Sequence, residues 1–164
     1  VCAEASGAED GFLIRTFREE DAGVASEILL DAREAASWTA SMVREVLSSG
    51  QVSGFVSEKG GKTTGFILGR EMLDEGEILN LAVTRRNRRY GEGTALVKKM
   101  LNKFEGRGVI RVFLEVRESN LGAIAFYKRL GFLQVGRRES YYRGPAEAAL
   151  VLEHSTKNPQ FGTE

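Results

Sequence analysis

The chain predicts a mixed α/β (α+β) domain, and three observations carry that expectation. An apolar run (Ile78, Leu79, Leu81, Ala82, Val83) leads through a basic, glycine-containing turn into good helix formers. There Leu96, Val97, Met100, Leu101 and Phe104 recur as one helical stripe, with Lys98, Lys99, Asn102 and Lys103 on the far side. Next, Ile110, Val112, Leu114 and Val116 alternate with Arg111, Phe113, Glu115 and Arg117 as in a strand. Strand, helix and strand in that order make a crossover that pairs parallel strands. Finally, residues 52–57 and 64–70 flank Glu58-Lys59-Gly60-Gly61-Lys62, a hairpin-type turn that adds an antiparallel pair.

Length and composition bound the rest. At 164 residues the chain holds one ordinary core and is too short for two. Hydrophobic residues make up 42% and charged residues 28%, as in a soluble globular protein. The formal net charge is zero, so no long-range attraction to nucleic acid or an anionic membrane is built into the whole surface. Cys2 is the one cysteine, which excludes an internal disulfide and fits a reducing compartment. No apolar run reaches membrane-spanning length and residues 1–11 lack a hydrophobic signal core, so the expected location is cytoplasmic. His154, the sole histidine, has no neighbour in sequence with which to build a metal site, and none is expected.

Taken in order, residues 1–10 read as a flexible leader, 11–154 as the domain and 155–164 as a flexible tail. Phe12, Ile14 and Phe17 begin a first strand. Glu20 or Asp21 starts a helix with Val24, Ala25, Ile28 and Leu29 on one side. Ser37-Trp38-Thr39 interrupts, and Met42, Val43, Val46 and Leu47 form a second helix that ends at Ser48-Ser49-Gly50. After the hairpin and the 78–83 strand, a helix begins near Thr94 and closes at Gly106 and Gly108. Ser119 and Asn120, both good N-caps, open a last helix with Leu121, Ile124 and Ala125 as its stripe and Tyr127 and Leu130 on a neighbouring face. Tyr141 and Tyr142 fall in a late strand or loop.

Chemistry first shows in the turn Arg88-Arg89-Tyr90-Gly91-Glu92-Gly93-Thr94. A helix N-terminus presents unpaired N–H groups and a partial positive charge, both suited to phosphate oxygens. Gly91 and Gly93 let backbone approach a pyrophosphate, and Arg88 and Arg89 add charge-assisted hydrogen bonds. Neither GxxxxGK[ST] nor GxGxxG is present. From these residues alone, a solvated basic turn is an equal alternative.

The motif Arg88-x-x-Gly91-x-Gly93, after Leu81-Ala82-Val83 and before a helix, resembles the acetyl-CoA motif of GNAT-type N-acetyltransferases. LEVRESNLGAIAFYKRLGF (114–132) and GRRESYY (136–142) narrow the resemblance to the RimI-like branch, ribosomal-protein-alanine N-acetyltransferases. It spans roughly residues 12–153 and is densest over 80–142. The resemblance implies a GNAT acyl-CoA N-acyltransferase fold, a mixed and mostly antiparallel sheet with splayed central strands flanked by helices. It also implies acetyl-CoA as cofactor, CoA as product, and the N-terminal alanine of a small-subunit ribosomal protein as acceptor. Direct attack in a ternary complex is expected, since Cys2 in a leader is a poor nucleophile. Partners are then a protein N-terminus and at most a second copy in a weak homodimer, with no direct nucleic acid or membrane. Another peptide, a lysine, a small amine, or a weakly catalytic acyl-CoA-binding module are the alternatives.

Acetyl transfer to an amine needs a neutral nucleophile, a stabilised oxyanion and a proton for the thiolate. At about pH 7, deprotonating an α-amino group (pKa about 7.8) costs about 1 kcal/mol, against about 4.6 for a lysine (pKa about 10.4). A modest base suffices for an N-terminus. By resemblance Glu115 is that base, with Glu77 as rival, and Tyr127 is the acid that protonates the leaving thiolate. Leu81, Ala82 and Val83 would meet pantetheine through backbone. Arg88, Arg89, Gly91, Gly93, Thr94, Asn120 and Tyr127 complete the cofactor set, and Trp38, Glu77, Asn80, Tyr141 and Tyr142 the substrate side. The residues alone allow plainer roles: Glu115 paired with Arg111 or Arg117, Trp38 and Tyr127 in the core, Asn120 as a cap, and Tyr141 and Tyr142 packed in a strand. Three positions depart from the family pattern: Glu92 between the glycines, Ala148 in Glu147-Ala148-Ala149, and Ser140 before the tyrosine pair. A carboxyl at 92 would repel pyrophosphate unless it points outward or meets Arg88 or Arg89.

Overall fold

The apolar stripes are buried in two bodies, seen in a computed structural model that describes residues 11–32, 35 and 37–156. The expected leader (1–10, with Cys2) and the tail from residue 157 lie outside the described residues. The elements run β1 (Leu13–Thr16), α1 (Ala22–Asp31), α2 (Ala40–Ser48), β2 (Val52–Lys59), β3 (Lys62–Met72), β4 (Glu75–Val83), α3 (Glu92–Gly106), β5 (Arg111–Arg117), α4 (Leu121–Arg129), β6 (Leu133–Arg143) and β7 (Ala146–Ser155).

One body comprises the described residues up to Arg70 with Ile78–Lys103, and its strands follow the order β1-β2-β3-β4. The β2–β3 hairpin pairs Lys59 with Lys62 across Gly60-Gly61; β2 runs two residues past the expected Ser57, and β3 two residues beyond each end of the expected 64–70. Its core packs α1 residues Ala22, Ala25, Ile28 and Leu29 with Val43, Val56, Phe66 and Leu68. The spacing of the α1 set is the i, i+3, i+7 stripe of a half-buried helix. Thr39, in the expected interruption, caps α2 by accepting from the Met42 amide at 3.2 Å. Within α2, Val43 is buried and Met42 is exposed. Arg15 on β1 donates from Nη1 and Nη2 to the Asp21 carboxylate at 2.8 Å each and from Nε to Glu58 at 2.7 Å. Burial alone would raise the Asp21 carboxyl, but the hydrogen bonds and charge of Arg15 and the Arg18 amide outweigh it and lower its pKa.

The other body comprises Glu71–Glu77 and the described residues from Phe104 on, with strand order β4-β5-β7-β6. The crossover expected from the sequence is parallel, with Glu75↔Arg111, Gly76↔Val112 and Glu77↔Phe113 in register. These β4 residues precede the apolar run from which the strand was expected, so the pairing end of β4 was not legible. On its other side β5 pairs with β7 along its whole length, antiparallel, from Arg111↔Ser155 to Arg117↔Ala149. β6 then pairs antiparallel with β7, so the late strand-or-loop is a strand, and β7 is an element not assigned from the sequence. In α4 the expected stripe is corrected: Leu121 and Ala125 are exposed while Ile124 and Tyr127 are buried. Asn120 caps the helix by accepting from the Ala123 amide at 3.1 Å, which turns the first helical residue, Leu121, to the outside.

Candidate active site

In the first body the anion-ready turn runs into α3. Gly91 holds φ of 88°, a left-handed conformation costly to any side chain, and its carbonyl accepts the Ala95 amide as the first helical bond. The helix therefore begins at Glu92, two residues before the expected Thr94. First-turn N–H groups lack intrahelical acceptors, and here they belong to Glu92, Gly93 and Thr94. Arg89, also at positive φ (68°), is exposed, whereas Arg88 turns back to donate from Nε to the Val83 carbonyl at 3.1 Å. That contact fixes the end of β4 to the start of the turn.

Glu92 resolves one departure in a way the sequence did not indicate. Its side chain does not point outward; it is 1% exposed. Thr64 and Ser57 hydroxyls donate to Oε2 at 2.7 and 2.8 Å. Gly65, beside Thr64, makes room for this cluster: a Cβ there would stand 2.7 Å from Ser57 Oγ. The relevant signal was present as two hydroxyl residues flanking the hairpin, but nothing in their spacing ties them to position 92.

Along β4 burial alternates, with Ile78, Asn80 and Ala82 buried and Leu79, Leu81 and Val83 half-buried. Trp38 is half-buried against the α1 core, consistent with an anchor, and keeps part of its surface exposed.

In the second body β5 alternates as expected, Val112, Leu114 and Val116 buried and Phe113, Glu115 and Arg117 on the other face. Because Glu77 pairs with Phe113 in parallel register, Glu77 and Glu115, the two rival bases, lie on the same sheet face. The plainer alternative for Glu115, a pair with Arg111 or Arg117, is not what is found. Arg111 pairs with Glu75 at 2.6 Å, and Arg117 with Glu147 at 3.2 Å. Glu115 instead meets Arg138 of β6 at 3.1 Å. Hydrogen bonding toward Glu115 first, then burial, then the Glu115 charge, push Tyr141 up to about 12. Arg117 also lies over the Tyr142 ring at 4.2 Å, and Tyr142 meets Tyr141 edge-on at 5.0 Å. Arg138 was missed, since no local pattern connects residue 138 with residue 115 across an intervening strand.

Tyr127 is 8% exposed and sits edge-on to Phe126 at 5.0 Å and Phe132 at 5.4 Å. Burial raises its phenol pKa well above the ordinary value. Asn120 keeps its capping role in this body. Ala148, the second departure, is buried in β7. Among the described residues no group of three or more His, Cys, Asp or Glu is arranged to hold a metal, and no helix is long and apolar enough to cross a membrane.

A parallel β4–β5 pair joined through a helix that opens on a basic glycine turn, beside antiparallel β1–β2, β2–β3, β5–β7 and β6–β7 pairs, defines an acyltransferase class. The chain belongs to the GNAT acetyltransferase family, whose model matches residues 21–132. It is 40% identical over 88 residues to the ribosomal protein bS18-alanine N-acetyltransferase of Escherichia coli K12; the match covers 54% of this chain and 60% of that relative's length. An N-alpha-acetyltransferase of Sulfurisphaera tokodaii is 32% identical over 120 residues, covering 65% of this chain and 72% of the relative. The crystal structure of the Escherichia coli ribosomal-protein-S18-alanine N-acetyltransferase is similar at a TM-score of 0.77 and 28% identity, covering 93% of this chain and 99% of that one.

Proposed function

We propose that this chain transfers acetyl from acetyl-CoA to a protein N-terminal amine, with the N-terminal alanine of a small-subunit ribosomal protein as its acceptor. The observation that carries this is the opening of α3, where Gly91 at positive φ starts the helix and the first-turn amides of Glu92, Gly93 and Thr94 lack intrahelical acceptors while the Glu92 side chain is drawn inward. An inward carboxyl leaves those amides and Arg89 to receive a pyrophosphate. Backbone of Leu81, Ala82 and Val83 would take pantetheine. The named activities of the Escherichia coli and Sulfurisphaera relatives favour an N-terminal amine over a lysine.

In the proposed reaction the neutral amine attacks the thioester carbonyl, a C–N bond forms and the C–S bond breaks. The amine proton goes to Glu115, directly or through water, and the thiolate takes its proton from Tyr127. Glu77 is the second candidate base, and Trp38, Asn80, Tyr141 and Tyr142 are assigned to the peptide side. Such an acceptor places the reaction in the cytoplasm.

Release of CoA is measured with short peptides beginning Ala, Ser, Met and acetyl-Ala, and with a lysine peptide whose N-terminus is blocked. Turnover with free Ala and none with acetyl-Ala is expected. Equal rates on free and blocked peptides overturn the N-terminal assignment, and turnover without any peptide effect favours an acyl-CoA-binding module.

A further inference from the structure

Glu115 is held from a strand that is not its neighbour. β5 and β6 are separated by β7, and the row Glu115–Val151–Gly136 crosses all three. Gly136 brings no side chain to that row. Just beyond it β6 leaves regular pairing. From Arg138↔Ala149 to Tyr142↔Glu147, β6 advances four residues while β7 advances two. Within this bulge Ser140 has φ of 50°, an uncommon conformation for a residue with a Cβ. Arg138 and Tyr141 flank it: Arg138 Nε lies 3.1 Å from Glu115 Oε1, and the Tyr141 phenol is coupled to the same carboxyl. Tyr141 is itself braced, with the Arg138 guanidinium 5.9 Å from its ring and the Tyr142 ring at 5.0 Å, interplanar angle 88°. Tyr142 in turn lies under Arg117, whose guanidinium also bonds Glu147 and the Gly144 and Pro145 carbonyls.

We propose that Arg138 and Tyr141, set by the β6 bulge, are positioning residues that hold the Glu115 carboxyl in one rotamer for proton abstraction. This rests on the assignment of Glu115 as base. A free glutamate samples several rotamers, and groups that reach it across β7 select one of them while leaving acceptor capacity on the carboxyl for an amine or water. Tyr141 is then more than a wall for the peptide, and the departure at Ser140 belongs to the turn that delivers it.

Steady-state kinetics on Tyr141→Phe, Arg138→Gln, Arg138→Lys and Glu115→Gln, with the two positioning variants repeated in the Glu115→Gln background, test this. Tyr141→Phe and Arg138→Gln should lower kcat roughly tenfold to a hundredfold with the acetyl-CoA KM unchanged, and Arg138→Lys should restore part of the loss. In the Glu115→Gln background neither should lower kcat further, because both act through that carboxyl. Ultraviolet titration gives a readout independent of turnover. The Tyr141 phenol, identified by its loss in Tyr141→Phe, should ionise near 12 in the wild type and closer to the ordinary 10.0 in Glu115→Gln. A Tyr141 titration indifferent to Glu115→Gln overturns the proposal, as does a Tyr141→Phe variant that changes only the peptide KM. If Glu115→Gln is inactive while Tyr141→Phe and Arg138→Gln keep wild-type kcat, the positioning role falls and the base assignment stands. Wild-type turnover in Glu115→Gln overturns both.

Discussion

The Glu92 cluster yields the sharpest quantitative expectation. Thr64→Val keeps side-chain shape and removes a hydroxyl that donates at 2.7 Å to a carboxyl 1% exposed. Ser57→Ala removes the second donor, at 2.8 Å, to the same oxygen. The other oxygen, Oε1, is already buried with no partner among the described residues, so nothing there compensates. Stripping a donor from a buried polar group costs about 1–3 kcal/mol, and each single variant should lose stability in that range. Glu92→Leu should also destabilise, because it strands the two hydroxyls. Replacing all three groups together (Glu92→Leu, Ser57→Ala, Thr64→Val) removes donors and acceptor at once, which can be nearly neutral. The triple variant should therefore be more stable than the sum of the single losses predicts, by about 0.5–3 kcal/mol. Urea unfolding is the assay, read as shifts in midpoint at constant slope. Losses that add to within about 0.5 kcal/mol would refute the cluster as an interacting unit. The acetyl-CoA KM should rise in Ser57→Ala and Thr64→Val with kcat preserved, because the cluster sets the first turn of α3 and no reacting group.

Three further outcomes are expected. Tyr127→Phe should lower kcat by about 10²-fold or more, the scale of a lost general acid, with little change in acetyl-CoA binding measured by titration calorimetry; turnover near wild type would reassign the acid. Since burial raises that phenol pKa, its deprotonation should not limit the rate until well above pH 10. Gly91→Ala puts a Cβ at φ of 88° and should raise the acetyl-CoA KM more than it changes the peptide KM, as initial rates with each substrate varied will report. Asp21→Asn should flatten the acid limb of stability. The folded pKa of Asp21 lies below its ordinary 3.8, so its contribution is complete above that value and is lost as pH falls through the folded pKa. Urea midpoints from neutral pH down to below pH 3.8 should converge for Asp21→Asn and wild type only at the acid end.

Local periodicity by itself determined the α1 stripe, the hairpin around Gly60-Gly61, the α3 stripe and the inside-outside alternation of β5, because each is written in residues one to four positions apart. The motif Arg88-x-x-Gly91-x-Gly93 likewise sits where a helix opens, and Asn120 caps the helix it was expected to start. What lies between distant residues was decided only by the tertiary structure. The partner of Glu115 is Arg138 rather than Arg111 or Arg117, because β7 inserts between β5 and β6 and the nearer arginines are taken by Glu75 and Glu147. Glu92 turns inward because the hairpin carries Ser57 and Thr64 to it, a convergence over 35 and 28 residues of sequence. Side-chain spacing encodes which face is apolar; which polar groups meet depends on strand order and register, and those are settled only when all the strands pair.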